Sequence, residues 1–156
     1  MRLLFVCSGN ICRSAMAAAY ARDRLARSGL GGMVVESAGT LGLEEERASP
    51  AAVQVLREAG FDLSGHRSRG LESVRPCAAE IVIGMERSHL ETVERLCGTS
   101  AQERHLLRAF ESGADPRGGA PDLEDPIGGP IEGYRECFEA IRACVDHLVA
   151  RLERGS

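Results

Sequence analysis

The chain has 156 residues, a formal net charge of −4, and no lysine among its 19 basic residues. That length suits one domain, residues 1–156, with a real core, and the acidic balance excludes a general nucleic-acid binder, whose footprint is basic. The apolar start, Leu3 to Val6, is far too short for a signal-peptide h-region or a membrane span, so a soluble, cytoplasmic protein with no membrane partner is expected.

Residues 2–6 read as a short buried strand. Residues 14–28 read as a helix, with Met16, Tyr20 and Leu25 on a common face and Gly29 past its end. Residues 33–36 form a second strand. Ser49-Pro50 puts a capping hydroxyl before a proline at the first helical position, and that helix runs to Gly60, burying Val53, Val55 and Leu56. Residues 81–84 are a third strand. Residues 88–96 form a helix, with Ser88 and Glu91 in capping-box spacing and Gly98 beyond. Residues 105–109 are assigned to a fourth strand. Residues 111–130, rich in Gly, Pro and Asp and without periodicity, read as a long functional loop. A final helix carries Ile131, Tyr134, Phe138, Ile141, Val145, Leu148 and Leu152 at steps of three and four.

Strands alternating with helices imply an α/β fold, a parallel sheet covered on both faces. Right-handed crossovers put the ends of the first and third strands beside a switch point, where ligands bind.

The segment after the first strand, Cys7-Ser8-Gly9-Asn10-Ile11-Cys12-Arg13-Ser14, sits at that crevice. Cys7 is the one cysteine of the six with an arginine at Cys-x5-Arg spacing. Gly9 and Asn10 suit a tight turn with positive φ. Backbone N–H groups of such a turn, with the helix N-terminus behind them, cradle a tetrahedral anion. Arg13 can grip two oxygens at once. In that potential a thiol, normally near 8.5, is expected to fall to about 3.5–7.5 and become a nucleophile. Ser14 is placed to cap the helix or to donate to the Cys7 sulfur. The other cysteines show no Cys-x2-Cys metal pattern. Cys77, Cys97, Cys137 and Cys144 are expected as small, buried, apolar thiols.

In-line attack by Cys7 on a phosphate monoester calls for an acid to protonate the leaving oxygen. The loop offers Asp125, held extended by Pro126, with Asp115 (before Pro116), Asp122 and Glu124 as rivals.

The segment from Val6 to Ser14 resembles the phosphate-binding loop of the low-molecular-weight protein tyrosine phosphatases. The likeness extends along nearly the whole chain, through Glu36-Ser37-Ala38-Gly39, Gly65-His66 and Asp125-Pro126. It implies a three-layer sandwich whose four-stranded parallel sheet has the order 2-1-3-4. It implies a metal-independent, cofactor-free hydrolase acting on phosphotyrosine in proteins through a phosphocysteine, with Cys7 as nucleophile, Arg13 as anion clamp and Asp125 as acid. It makes Ser8, Gly9, Asn10, Ile11, Cys12 and Ser14 the phosphate-binding loop and Ser37 and His66 its supports. Family members can bridge the two loop cysteines reversibly, which makes Cys12 a redox partner for Cys7; the plainer alternative is a small residue packed under the loop.

The match departs in places. Ala15 stands where the family has proline, a tolerable change at a helix start. There is no tryptophan, and Asp125-Pro126 is followed by Ile127-Gly128-Gly129, so the aromatic walls that stack on phosphotyrosine are weak. Asp-Pro-x-Gly-Gly resembles the protein arginine phosphatase branch, which carries Thr where this chain has Ile11. Ile11 resembles the tyrosine-specific form, and it carries more weight because it lines the phosphate. A phosphocysteine carrier would not need Asp125. An arsenate reductase resembles this loop but adds two neighbouring redox cysteines, whereas Cys77 is followed only by Cys97.

Overall fold

The computed structural model describes residues 1–113 and 119–155. The chain runs β1 (Arg2–Cys7), α1 (Arg13–Arg27), β2 (Val34–Gly39), α2 (Pro50–Glu58), β3 (Ile81–Gly84), α3 (Arg87–Cys97), β4 (Glu103–Leu106) and α4 (Ile131–Arg154), with 3-10 turns at Leu71–Val74, Pro76–Ala78 and Leu107–Gly113. The strands are parallel in the order β2-β1-β3-β4, the order the resemblance implied.

β1 is central, paired on both edges, and its side chains alternate between two cores. Leu3, Phe5 and Cys7 join the larger core, with Met16 and Leu25 of α1, Val55 and Leu56 of α2, and Phe138, Ile141 and Val145 of α4. Leu4 and Val6 face the smaller one, with Leu71, Val74 and Val93 of α3. A fully buried Leu, Ile or Phe contributes roughly 1.5–3 kcal/mol, so the larger core does most to hold α1, α2 and α4 on the sheet. The result is three layers, with α3 alone among the long helices on the second face. Cys7 pairs with Gly39 and Val6 with Gly84. The ends of three strands therefore meet where the chain leaves β1 for one side and later returns as β3 on the other, a topological switch point.

Several local expectations need correction. The fourth strand is Glu103–Leu106, not 105–109: the ladder with β3 pairs Ile81 with Glu103, and the chain after Leu106 winds into a 3-10 turn. The capping box of α3 is not Ser88 with Glu91. Glu86 is the N-cap, and the His89 side chain returns to its backbone N–H. α1 begins at Arg13 with Cys12 as N-cap and no side-chain cap, so Ser14 does not cap it. Ser49 does cap α2, accepting from the Ala52 N–H at 3.4 Å. Val53 is only partly buried, unlike Val55 and Leu56.

Cys77 and Cys97 are not separate buried thiols. They form a disulfide, because the Pro76–Ala78 turn and the end of α3 lie against each other at the foot of the sheet. Cys137 and Cys144 are free and buried, as expected. Burial pushes their thiols up, to about 12 and about 11.

Candidate active site

The loop between β1 and α1 closes around the Cys7 sulfur. Asn10, with φ of 58°, supplies the left-handed turn, and its backbone N–H donates to Cys7 Sγ at 3.3 Å. Ser14 Oγ lies 2.9 Å from the same sulfur. The Asn10 amide holds this geometry from within: Nδ2 donates to Ser14 Oγ at 2.8 Å and to Ser37 Oγ at 2.9 Å, and Oδ1 accepts the Arg69 N–H at 2.9 Å. His66 Nε2 donates to the Asn10 carbonyl at 2.6 Å. Burial lowers the His66 pKa, consistent with a neutral ring carrying that single proton. Asn10, Ser37 and His66 thus form one hydrogen-bond network.

Two further pins fix the loop. The Ser8 carbonyl accepts from the Leu41 N–H and the Ile11 carbonyl from the Ser49 N–H, each at 2.9 Å. Gly39 packs so closely that a Cβ there would stand 2.5 Å from the Ser8 carbonyl oxygen and 2.9 Å from the Asn10 nitrogen. Only glycine permits that approach.

Arg13 is 1% exposed and is the largest fully buried side chain. Its Nη1 donates to Glu86 Oε2 at 2.6 Å and to the Leu123 carbonyl at 2.7 Å. Its Nη2 reaches Asp125 Oδ2 at 3.3 Å and Ser8 Oγ at 3.5 Å. A buried guanidinium needs such partners. One edge is locked by α3 and the 119–130 segment, leaving the other toward the loop. Leu123 is buried and its N–H donates to the Met85 carbonyl at 2.8 Å, which ties the Asp125 segment to the end of β3. Asp125 Oδ1 accepts the Ile127 N–H at 3.1 Å.

Of the rival carboxylates, Asp122 Oδ1 is committed to the Arg87 N–H at 2.7 Å, Glu124 is exposed, as Asp125 is, but it is Asp125 that reaches Arg13, and Asp115-Pro116 lies outside the described residues. Cys12 Sγ donates to Ser49 Oγ at 3.4 Å and to Tyr134 Oη at 3.7 Å, and burial raises its pKa. Leu41, Leu43 and Ile127 are exposed large apolar side chains of the two flanking segments; of the aromatic residues, Tyr134 is buried against Cys12, and Tyr20, Phe61 and Phe138 form one edge-to-face cluster.

Sequence reasoning missed Glu86, His89 and Leu123. His89 is buried, with Nε2 3.0 Å from Ser8 Oγ and Nδ1 accepting the Glu86 N–H at 3.0 Å. The Glu86–His89 spacing at the end of a strand was the available signal. The Cys77–Cys97 bridge stands apart from this constellation: α3 starts beside Arg13 and carries Cys97 roughly 15 Å away by helical rise, too far to exchange with Cys7. Among the described residues no group of three or more His, Cys, Asp or Glu could hold a metal ion, and no helix is long and apolar enough to cross a membrane.

A buried arginine and a loop-cradled thiol at the switch point of a 2-1-3-4 sheet define the class of cysteine-dependent phosphatases, which are hydrolases. The chain belongs to the low molecular weight phosphotyrosine protein phosphatase family, whose model matches residues 2–156. It is 37% identical over 153 residues to a low molecular weight protein-tyrosine-phosphatase of Streptomyces coelicolor, covering 96% of this chain and 92% of that protein. It is 36% identical over 152 residues to a protein-arginine-phosphatase of Geobacillus stearothermophilus, covering 97% and 96%. The structure is similar to that of a low molecular weight protein tyrosine phosphatase from T. tengcongensis, with a TM-score of 0.84 at 33% identity over 97% of this chain and 99% of that one.

Proposed function

We propose that the chain hydrolyses phosphotyrosine in proteins, with Cys7 as nucleophile, Arg13 as anion clamp and Asp125 as proton donor. The observation that carries this reading is the loop that cradles Cys7 Sγ with the Asn10 N–H and Ser14 Oγ and runs into Arg13, itself paired with Asp125. The Cys7 thiolate attacks phosphorus in line with the leaving oxygen. The S–P bond forms, the P–O bond breaks, and the Asp125 carboxyl gives its proton to the phenolate. Loop N–H groups and Arg13 hold the three equatorial oxygens. Water then attacks the phosphocysteine, Asp125 takes its proton, and the sulfur leaves with the Ser14 hydroxyl supporting its charge. Asn10, Ser37 and His66 keep the loop in shape. Residues 1–156 serve as one phosphatase domain, in the cytoplasm. Cys12 serves as the thiol that traps an oxidised Cys7 as a disulfide.

Metal-free hydrolysis of a phosphotyrosine peptide by wild type and Cys7→Ser tests the reading. Turnover by Cys7→Ser near the wild-type level would defeat it. A second reading, hydrolysis of phosphoarginine, is favoured by one observation: aliphatic Leu41, Leu43 and Ile127, not aromatic rings, are the exposed apolar side chains flanking the loop. Ile11, within the loop and partly buried against the larger core, supports tyrosine. A kcat/KM for phosphoarginine peptide well above that for phosphotyrosine peptide reverses the choice.

A further inference from the structure

The phosphatase mechanism leaves His89 unused, although it is a buried titratable group hydrogen-bonded directly to the loop. Its hydrogen bonds fix its tautomer. Nδ1 accepts the Glu86 N–H at 3.0 Å, and an accepting nitrogen cannot also carry the proton. The proton therefore sits on Nε2, which points at Ser8 Oγ 3.0 Å away. Burial and the neighbouring Arg13 charge hold the imidazole down to about 4, against the opposing influence of Glu86, Asp122 and Asp125. The ring is neutral near pH 7, with one donor and one acceptor, both engaged.

The consequence falls on Ser8. Its oxygen accepts a hydrogen bond from His89 Nε2–H and a second, longer one from Arg13 Nη2 at 3.5 Å. Both neighbours are donors. The hydroxyl's own proton has no acceptor among the described residues, and Ser8 lies within the loop whose N–H groups line the crevice. A hydroxyl with both acceptor sites filled can only donate outward.

We propose that His89 is a positioning residue of the phosphate cradle: by donating from Nε2 to Ser8 Oγ it turns the Ser8 hydroxyl proton toward the bound phosphate, adding one oriented donor to those of the loop and Arg13. Glu86 serves the same end twice, its backbone fixing the His89 tautomer and its carboxylate holding Arg13. One residue thus couples the two sides of the anion site. The proposal rests on the anion-binding part of the phosphatase reading, and not on the roles given to Cys7 and Asp125.

Two substitutions separate orientation from mere packing. His89→Asn keeps an acceptor near the Nδ1 position but cannot reach Ser8; His89→Gln keeps a donor near the Nε2 position. Inorganic phosphate binding, followed by calorimetry or NMR, needs no turnover, so it reads the cradle even if Cys7 proves not to be the nucleophile. A donor to a charged oxygen carries roughly a tenfold effect. His89→Asn is expected to weaken phosphate binding about tenfold and to raise KM more than it lowers kcat; His89→Gln recovers most of that loss. In a Ser8→Ala background His89→Asn has no further effect. Equal losses in Asn and Gln, or an undiminished Asn effect without Ser8, overturn the proposal. If the variants fail to fold, the ring nitrogen-15 shifts of wild type decide alone: a neutral Nε2–H tautomer supports the assignment, and an Nδ1–H tautomer or a charged ring at pH 7 ends it.

Discussion

Asp125 Oδ2 stands 3.3 Å from Arg13 Nη2, so the proposed proton donor rests on the proposed anion clamp. Arg13 Nη1 is held by Glu86 and Leu123, and this leaves Nη2 as the edge that an incoming dianion shares with Asp125. A phosphate arriving there meets the carboxyl beside its leaving oxygen.

Asp125→Ala therefore costs most where the leaving group most needs a proton. With phenyl phosphate or phosphotyrosine, kcat is expected to fall about 10²–10⁴-fold. With p-nitrophenyl phosphate, whose leaving group is already stable as an anion, the loss is much smaller. Steady-state rates on both substrates check this. Asp122→Ala, which removes an acceptor for the Arg87 N–H, should not show the same leaving-group dependence; if it does, the acid is Asp122.

Gly39 sets the position of the loop without touching substrate. Three backbone atoms, Ser8 O, Asn10 N and Gly9 C, would lie within 2.9 Å of a Cβ there, and backbone cannot yield as a flexible side chain does. Gly39→Ala is expected to retain the sheet, since Gly39 ends β2, while displacing the loop and reducing kcat/KM at least about 10²-fold, the scale set by misplaced catalytic groups. Circular dichroism and kinetics together test it. A fully active alanine variant would mean that the loop adapts freely.

The parallel α/β architecture and the anion loop were legible because each is written locally: an apolar strand, a Cys-x5-Arg turn, a helix with a clear face; the strand order came through resemblance. Asn10, Ser37 and His66 were legible only through resemblance, since no local pattern says that residues so far apart share one amide. Glu86 and His89 were missed because their partners, Arg13 and Ser8, come from another strand end. Ser88 and Glu91 matched a capping pattern, but the end of β3 brought Glu86 to the cap position first. The Cys77–Cys97 pairing was invisible for a similar reason: it depends on where α3 ends against the Pro76–Ala78 turn.

His89 should also mark the acid limit of stability. Its native pKa is held down to about 4, against about 6.5 in the unfolded chain. Above pH 6.5 neither state binds the proton and the full stability is present. As pH falls from 6.5 to 4 the unfolded state takes the proton first, so stability is lost across that window, on the order of 3 kcal/mol when complete. His66, also lowered by burial, acts in the same direction. Urea denaturation of wild type and His89→Gln at pH 7.5 and 4.5 checks the sign. The variant lacks the titrating ring and should lose less on acidification; equal losses would show that His89 is protonated in the native state.

The Cys77–Cys97 bridge closes a loop with a sequence separation of 20 and ties the C-terminal end of α3 to the turn that leads into β3. Constraining the unfolded chain over such a loop is worth about 3 kcal/mol in the chain-entropy treatment, which for a chain of this size corresponds to roughly 6–12 °C in Tm. Cys77→Ser/Cys97→Ser is expected to lower Tm by that amount. The same variant should keep kcat near wild type, because Glu86 and His89 lie at the opposite end of α3, held by Arg13 and Ser8 as well as by the helix. Non-reducing mass spectrometry of wild type provides the direct check. Two free thiols at these positions, or an unchanged Tm in the double variant, would remove the bridge from the account of stability. A large fall in kcat would show instead that the foot of α3 controls the anion site at its head.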